Sequence, residues 1–365
     1  MFIYFFVIFT LSFFAIIEVN IQEYFKKKTV DIFFIPITWL LIVGMMALRW
    51  DMGTDWKPYL SFFERFANWE EFYNGPPIFE KGFWLLNIFA KNIYNNYTFL
   101  LFIIEGTFFT LLFRFFKFST PYVLLCILLY FGLNIGITGS HRQLLALVIC
   151  LSGLKSLIEG NKLKFIGLVI LAFFFHASAL LFLIFLFLNI SIPIAIIITV
   201  IGACFIIGQT KLPFVIFSSL AGISEHNAEK VDAYIKSAES ELSRAQVSTM
   251  GIVKKILLPS IFLLTRKKIV EKYKYYNYFL NGYLFGVAFY FLFFKSLLVM
   301  VSRGSLYFNS MEPILLSLQL SIIKDKKIKN IVLFALCLFA IVFFFQSIKS
   351  YPDLFIPYKS VFEKE

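Results

Sequence analysis

Polar residues that could bind an anion stand where apolar segments of this chain end. The four clusters are Arg49 to Asp55 with Tyr59, Gly139 to Gln143, His176 within Phe174–Ser178, and Arg303 to Phe308 followed by Glu312-Pro313. Three of them contain an arginine, whose planar guanidinium binds phosphate oxygens in pairs and keeps its charge in a dry site. The clusters therefore predict a site for a phosphate-bearing ligand, with a lipid diphosphate as the first candidate.

Each cluster also has a purely structural interpretation. Arg49 and Arg142 could extend along the membrane to lipid phosphates. Asp55 could cap the helix that follows it. His176 could form a hydrogen bond between packed helices, and Arg303 could offset the dipole at a helix end. A ligand site is favoured for the set as a whole, because three arginines, a histidine and carboxylates would then converge on one face.

The composition predicts an integral membrane protein. Hydrophobic residues make up 60% of the chain and the mean hydropathy is +0.82, whereas soluble domains are roughly 45–50% apolar. The apolar runs are continuous, which favours helices over a barrel. A net charge of +12 would suggest nucleic acid in a soluble protein. Here the lysines cluster in short loops, which is typical of orientation in a membrane, and no nucleic-acid partner is expected.

We predict an all-α bundle of about 12 crossings, some short or re-entrant, in a single transmembrane domain that covers residues 1–365. The predicted crossings are 2–19, 31–48, 97–116, 121–136, 142–158, 164–176, 177–190, 193–208, 251–265, 277–300, 305–323 and 330–348. Short basic loops, such as those at 26–28 and 266–274, are expected in the cytoplasm. Both termini then face outward, and the crossing count requires a break near His176.

Two longer loops, 49–97 and 209–250, mix acidic and basic residues and are expected on the outer side. Loop 49–97 carries site residues. Loop 209–250 has apolar residues at three- and four-residue spacing, which predicts an amphipathic helix. That helix either lies on the outer surface or closes over the site as a lid.

The segment from Arg49 to Tyr59 resembles the arginine, Gly-Thr-Asp and tyrosine signature of the EpsG family of polysaccharide polymerases. Arg142-Gln143, Phe175–Ala179 and Arg303 with Tyr307-Phe308 follow in the family's order, so the likeness spans most of the chain. The family is related to the Wzy polymerases, which join repeat units of O-antigen, capsule or exopolysaccharide. It resembles the polyprenyl-phosphate-sugar (GT-C type) membrane glycosyltransferases. The resemblance implies a multi-pass protein of the bacterial cytoplasmic (inner) membrane with an outward-facing active site.

The resemblance further implies transfer of a growing glycan from undecaprenyl diphosphate to a sugar hydroxyl of the next lipid-linked unit. We expect Arg49, Arg142 and Arg303 to bind the diphosphate and stabilise its developing charge. Asp55 and His176 are the candidate catalytic bases. The expected substrate-binding residues are Asp51, His141, Gln143 and Tyr307. Membrane lipid is an expected partner, and a chain-length regulator protein could be another.

No metal or other cofactor is expected. Asp51 and Asp55 are four positions apart on a predicted turn, and His141, His176 and His226 have no metal-binding spacing. Three other functions stay open. A ligase would move finished glycan to a lipid acceptor with the same arginine chemistry. A flippase for lipid-linked sugars ranks lower, because no internal repeat is visible and Lys295 is the one clear intramembrane lysine. An acyltransferase would require a histidine or an Asp-His pair as its base, and neither stands out.

Overall fold

The computed structural model describes residues 1–21, 29–221, 249–295, 301 and 303–363. These residues are helical apart from loops and one isolated antiparallel bridge between Arg49 and Ser360. The prediction of an all-α protein is therefore confirmed.

In chain order, the α-helices are α1 (Phe2–Ile21), α2 (Ile35–Ala47), α3 (Trp56–Arg65), α4 (Trp69–Asn74), α5 (Lys81–Ile93), α6 (Tyr97–Ser119), α7 (Val123–Asn134), α8 (His141–Ile158), α9 (Lys162–Phe173), α10 (Ile194–Gly208), α11 (Leu212–Ala221), α12 (Thr249–Lys272), α13 (Tyr276–Phe293), α14 (Leu306–Asn309), α15 (Glu312–Gln319), α16 (Lys326–Ser350) and α17 (Pro352–Phe355). A π-helical turn at Val30–Phe34 leads into α2. The 3₁₀ segments are Ile135–Ile137, Ala177–Phe187, Leu320–Ile322 and Val361–Glu363.

Five segments of the described chain are long and apolar enough to cross a membrane, and they identify a multi-pass membrane protein. They are Phe2–Asn20, Val30–Ala47, Tyr97–Ser119, His141–Ile158 and Lys326–Ser350. Their surface agrees with this assignment, because a row of phenylalanines along α1 is exposed. Contiguous apolar surface of this kind is rare in soluble monomers.

The chain divides into two compact units. Unit 1 comprises Met1–Leu183 and Leu316–Glu365, and unit 2 comprises Ile184–Leu315. In unit 1, α7 packs against α1 and α16, and α8 packs against α6 and α9. Helix α7 is buried from Val123 to Gly132. In unit 2, α13 packs against α10, α12 and α14. The prediction of a single domain covering residues 1–365 stays a prediction.

Several predicted crossings are shorter than a bilayer. Helix α9 has 12 residues, which gives about 18 Å against roughly 30 Å of hydrocarbon. The chain breaks after Phe173 and resumes as the 3₁₀ segment at Ala177, so the predicted break near His176 is confirmed. The crossing predicted at 305–323 is wrong as a single helix, because α14, α15 and a 3₁₀ turn divide it.

The predicted basic loop at 266–274 is also corrected. Helix α12 continues to Lys272, and Arg266 within it is buried. The Arg266 Nη1 donates to the Ile192 carbonyl at 2.7 Å, and the Asn281 side chain donates to the carbonyls of Leu188 and Ile190. Arg266 therefore satisfies backbone groups in unit 2 and does not mark an aqueous loop.

The two predicted outer loops have different outcomes. Loop 49–97 contains α3, α4 and α5. Loop 209–250 contributes α11 at its start, but the apolar spacing that predicts its amphipathic helix falls within 222–248, outside the described residues. Lys295, the predicted intramembrane lysine, is exposed just after α13 ends at Phe293, and its position in the membrane stays a prediction.

Candidate active site

The loop between α2 and α3 has an unusual backbone. Asp51, Gly53 and Asp55 all have positive φ, at 48°, 87° and 56°. Residues other than glycine rarely adopt this left-handed region, and aspartate is among those that do. Each such non-glycine residue costs of the order of 1–3 kcal/mol, and its conformation persists only where surrounding contacts enforce it. The loop therefore has one specific shape that other parts of unit 1 must hold.

The C-terminal segment 352–363 holds this loop from one side. The Trp50 N–H donates to the Lys359 carbonyl at 3.0 Å. The Tyr358 hydroxyl donates to the Met45 carbonyl at 2.7 Å, and burial raises the pKa of Tyr358 to about 12, so this donor stays protonated at neutral pH. Nothing in the local sequence pattern predicts this contact, which joins residues about 300 positions apart.

Two glycines join the loop to the turn before α8. The Thr54 N–H donates to the Thr138 carbonyl at 3.1 Å. A Cβ on Gly53 would lie 2.6 Å from the Thr138 oxygen, and a Cβ on Gly139 would lie 2.1 Å from the Thr54 oxygen. Only glycine allows this backbone approach together with the positive φ of 111° at Gly139. The first two predicted clusters therefore form one piece of structure.

An ion pair lies in the interior of this structure. The Arg49 Nη1 is 2.9 Å from Glu105 Oε1, and the two side chains are 3% and 1% exposed. The Arg49 Nη2 is 2.7 Å from His141 Nε2. Because guanidinium only donates, this histidine nitrogen must accept, which makes His141 neutral with its proton on Nδ1. The interpretation that Arg49 extends to lipid phosphates is therefore wrong.

A second ion pair lies nearer the surface. The Arg142 Nη1 donates to Glu80 Oε2, with side chains that are 18% and 25% exposed. The Arg142 Nε donates to the Tyr59 hydroxyl at 3.2 Å, and its guanidinium lies 4.2 Å from the centre of the Phe79 ring. This stacking fixes the plane of the guanidinium, while one edge of the pair stays accessible.

The two pairs are connected through aromatic rings. The Tyr59 ring stacks on the His141 ring at 5.1 Å with an interplanar angle of 21°. A continuous series of contacts therefore runs from Glu105 to Glu80 by way of both arginines. We call it the arginine network, and it consists of Glu105, Arg49, His141, Tyr59, Arg142 and Glu80.

The third predicted cluster adjoins the outer end of the arginine network. The Ala177 N–H donates to Glu80 Oε1 at 3.4 Å, and the Gly82 N–H donates to the Phe174 carbonyl at 2.8 Å. His176 is half-buried, with its Nδ1 2.6 Å from the Ser178 hydroxyl. Three of the four predicted clusters thus lie together in unit 1.

The remaining predicted residues have varied positions. Asp51 is half-buried and lies 3.6 Å from the exposed Lys57 ammonium. Asp55 occupies the N-cap position of α3, but its side chain makes no capping hydrogen bond there, so the capping interpretation is wrong. Gln143 is buried in α8. In unit 2, Arg303 is half-buried and Tyr307 is buried in α14.

A polar cleft of about 280 Å³ lies beside Trp50. Its lining also includes Glu64, Asn95, Asn96, Tyr97 and Thr98. Amide, hydroxyl and carboxylate groups next to an aromatic ring suit the alternating polar and apolar faces of a sugar. The volume is close to the lower end of ligand pockets, roughly 300 Å³.

Sequence reasoning missed Glu105 and Glu80. Glu105 had a usable signal, because it is the one acidic residue within the apolar span Tyr97–Ser119. An acidic residue inside a membrane helix usually pairs with a cation, and Arg49 was available. Glu80 gave no such sequence signal, because the loop around it contains many charged residues and nothing singles out this one.

Across the described ranges, no group of three or more His, Cys, Asp or Glu side chains is placed to hold a metal ion. Metal independence stays a prediction.

The sequence model of the EpsG family matches residues 32–360, which include all four predicted clusters. No curated protein and no solved structure matches the chain. The resemblance to that family is therefore confirmed, while the likeness to GT-C type glycosyltransferases stays a prediction.

Proposed function

The chain belongs to the EpsG family of polysaccharide polymerases, and on that premise we propose a specific reaction for it. It joins lipid-linked oligosaccharide repeat units by glycosyl transfer from undecaprenyl diphosphate at the outer face of the cytoplasmic membrane. The observation that carries this proposal is the arginine network, which joins two of the family's motifs, adjoins a third through Glu80, and presents one arginine at its accessible end.

Arg142 binds the departing diphosphate. Its guanidinium is already oriented by Tyr59 and Phe79, and its carboxylate partner, Glu80, is half-buried. A phosphate that replaces Glu80 would gain a paired, charge-assisted contact at small reorganisation cost. Arg49 supports the site from the interior, because Glu105 and His141 already occupy its terminal nitrogens. Arg303 lies in unit 2, and its predicted role in diphosphate binding stays a prediction.

The acceptor sugar occupies the cleft beside Trp50, within the segment that carries Asp51 and Asp55. Its hydroxyl oxygen attacks the anomeric carbon of the donor, and the bond from that carbon to the diphosphate oxygen breaks. The diphosphate leaves with the electron pair, and the hydroxyl proton passes to Asp55 or His176 as general base. His141, Gln143 and Tyr307 are buried, and their predicted substrate contacts stay predictions.

Deleting the gene from its host and sizing the surface glycan tests the proposal. A polymerase deletion leaves single repeat units attached at the surface. Polymer that is made but not attached would instead identify a ligase, and repeat units trapped inside the cell would identify a flippase. Either result overturns the proposed reaction.

Complementation with Arg142 variants then tests the site. Arg142→Ala should leave single repeat units while the protein still accumulates in the membrane. Arg142→Lys should restore little polymer, because an ammonium lacks the planar fork. Arg65→Ala is the matched control, since Arg65 is exposed at the end of α3 and lies outside the arginine network. Normal polymer from Arg142→Ala would contradict the assigned role.

A further inference from the structure

His176 lies beside the outer end of the arginine network. The N–H of the next residue, Ala177, donates to Glu80 Oε1 at 3.4 Å. The other oxygen of the same carboxylate, Oε2, accepts from Arg142. A phosphate that replaces Glu80 at Arg142 would therefore lie next to the segment that carries His176.

Close backbone packing holds the two segments in this arrangement. The Gly82 N–H, at the start of α5, donates to the Phe174 carbonyl at 2.8 Å. A Cβ on Gly82 would lie 2.6 Å from that carbonyl oxygen, so a side chain at this position would push the segments apart. The distance between His176 and the outer ion pair is thus set by the backbone.

Two contacts of Ser178 identify the state of the His176 ring. The Ser178 N–H donates to His176 Nδ1 at 3.3 Å, and the Ser178 hydroxyl lies 2.6 Å from the same nitrogen. A backbone N–H cannot accept, so Nδ1 presents its lone pair and the hydroxyl also donates to it. A hydrogen on Nδ1 would point at the Ser178 N–H. The ring is therefore neutral, with its hydrogen on Nε2.

This tautomer decides what His176 can do chemically. A general base takes a proton onto a lone pair that the substrate can reach. In His176 that lone pair is on Nδ1, where both hydrogens of Ser178 point. The Nε2–H is a donor, and donors placed where negative charge develops stabilise a departing group. Donor chemistry thus fits the geometry of His176, and base chemistry does not.

We infer that His176 donates a hydrogen bond from Nε2 to an oxygen of the departing diphosphate, and that Ser178 is the positioning residue that fixes this tautomer. The inference rests on the proposed function and leaves Asp55 as the base. The acceptor hydroxyl loses its proton to the Asp55 carboxylate as its oxygen bonds to the anomeric carbon. The diphosphate leaves with the electron pair of the broken C–O bond. No proton leaves His176, whose ring stays neutral.

The tautomer can be measured directly by ¹⁵N solid-state NMR of the full-length protein in lipid bilayers, with label at histidine only. The His176 signals are those lost in His176→Gln or His176→Asn. We expect a protonated Nε2 and an unprotonated Nδ1 in the wild-type protein. A hydrogen on Nδ1 of His176, in the neutral or the charged ring, would overturn the inference.

Two amide replacements of His176 separate a donor from a base. Glutamine places its NH₂ group near the position of Nε2, whereas the shorter asparagine places it near Nδ1, and neither amide takes up a proton at neutral pH. The probe is the lipid-linked repeat unit that accumulates in the deletion strain, and the readout is the rate of polymer formation.

His176→Gln should keep a rate within about tenfold of the wild type, because the donor is retained. His176→Asn should be slower than His176→Gln by about 10- to 100-fold, the effect of one hydrogen bond to a charged group. Loss of a general base would instead slow both variants by about 10²- to 10⁴-fold. Equal rates in the two variants, whether low or high, would overturn the donor role.

The positioning role of Ser178 is tested by removing its hydroxyl. Ser178→Ala should put part of the His176 hydrogen on Nδ1 and slow polymer formation by about two- to tenfold, whereas Ser178→Thr should restore both. Ser152→Ala is the matched control, since this half-buried hydroxyl in α8 donates only to the Val148 carbonyl of its own helix. An unchanged tautomer and rate in Ser178→Ala would overturn the positioning role.

The failures of the two proposals are distinguishable because the NMR measurement needs no substrate. If the deletion strain lacks polymer but His176 carries its hydrogen on Nδ1, only the inference about His176 fails. If the Nε2–H tautomer is found but the deletion strain makes normal polymer, the tautomer stands and the proposed polymerase reaction fails, together with the donor role within it.

Discussion

Arg49 and Arg142 differ in burial although each belongs to a family motif and each pairs with a glutamate. The interior pair, Arg49 with Glu105, is 3% and 1% exposed. The outer pair, Arg142 with Glu80, is 18% and 25% exposed. The same two residue types therefore occupy two different electrostatic environments within one network.

Burial decides what each pair can do. Separating charges that have left water is expensive, so the interior arginine must keep its partner. Water can replace a lost partner at the outer pair, and so can a phosphate. The comparison assigns a structural role to Arg49, which holds the loop and His141 in place. It assigns ligand binding to Arg142, where a phosphate can replace Glu80.

The largest effect is expected from breaking the interior pair. Arg49→Met should lower the free energy of unfolding by about 3–5 kcal/mol, because Glu105 is then buried without a cation. The double variant Arg49→Met with Glu105→Met should recover most of this loss, since both charges are gone. Chemical unfolding in mixed micelles measures both. A single variant as stable as the wild type would show that the interior pair does not hold the site together.

The helical fold was largely predictable because lipid imposes simple rules on sequence. Each crossing needs a continuous apolar run whose backbone is satisfied internally, and such runs predicted the helices. The break near His176 followed from the crossing count. Where a crossing is divided, as at 305–323, hydropathy alone gave no sign of it. A buried cation such as Arg266 was misread because its partners are carbonyls of a segment about 75 residues away.

The next largest effect concerns the contact between the loop that joins α2 to α3 and the turn before α8. Gly139→Ala should cost roughly 2–4 kcal/mol, since the added Cβ meets the Thr54 oxygen at 2.1 Å and φ is 111°. Gly160→Ala is the matched control, because Gly160 has φ of 92° but nothing within 4 Å of its added Cβ. It should cost about 1–2 kcal/mol. Equal losses would mean that backbone conformation, and not the loop contact, limits stability.

The candidate site was predictable in its motifs but not in its partners. Arg49, Arg142 and His176 were found because polar residues are conspicuous at the ends of apolar runs. The carboxylates that neutralise the arginines were missed. Glu105 could have been found as the one acidic residue of its apolar span. Glu80 lies in a charged loop, and only three-dimensional packing pairs it with an arginine 62 positions away.

A smaller stability effect is expected at the outer pair. Arg142→Met should lower the free energy of unfolding by about 1 kcal/mol, because Glu80 stays hydrated and only the stacking on Phe79 is lost. Polymer formation should nevertheless be lost. Thermal unfolding of the variant beside the Arg49→Met protein provides the test. If Arg142→Met lowers the free energy of unfolding as much as Arg49→Met does, the distinction between a structural Arg49 and a ligand-binding Arg142 is wrong.

The smallest effect tests the connection between the two pairs. Tyr59→Phe removes the hydroxyl that accepts from Arg142 Nε at 3.2 Å but keeps the ring that stacks on His141. It should cost about 0.5 kcal/mol, the lower end for a single hydrogen bond, since Tyr59 is buried but the Arg142 side chain is 18% exposed and water can reach its freed N–H.

Tyr97→Phe provides the contrast for this measurement. The Tyr97 hydroxyl is buried and has no hydrogen-bond partner among the described residues, so its removal should leave stability unchanged or raise it slightly. Unfolding of both variants under one set of conditions compares the two hydroxyls directly. If Tyr97→Phe proves the more destabilising change, the Tyr59 hydroxyl contributes less to stability than a buried hydroxyl that has no hydrogen-bond partner among the described residues, and the hydrogen bond from Arg142 to Tyr59 does not couple the two ion pairs.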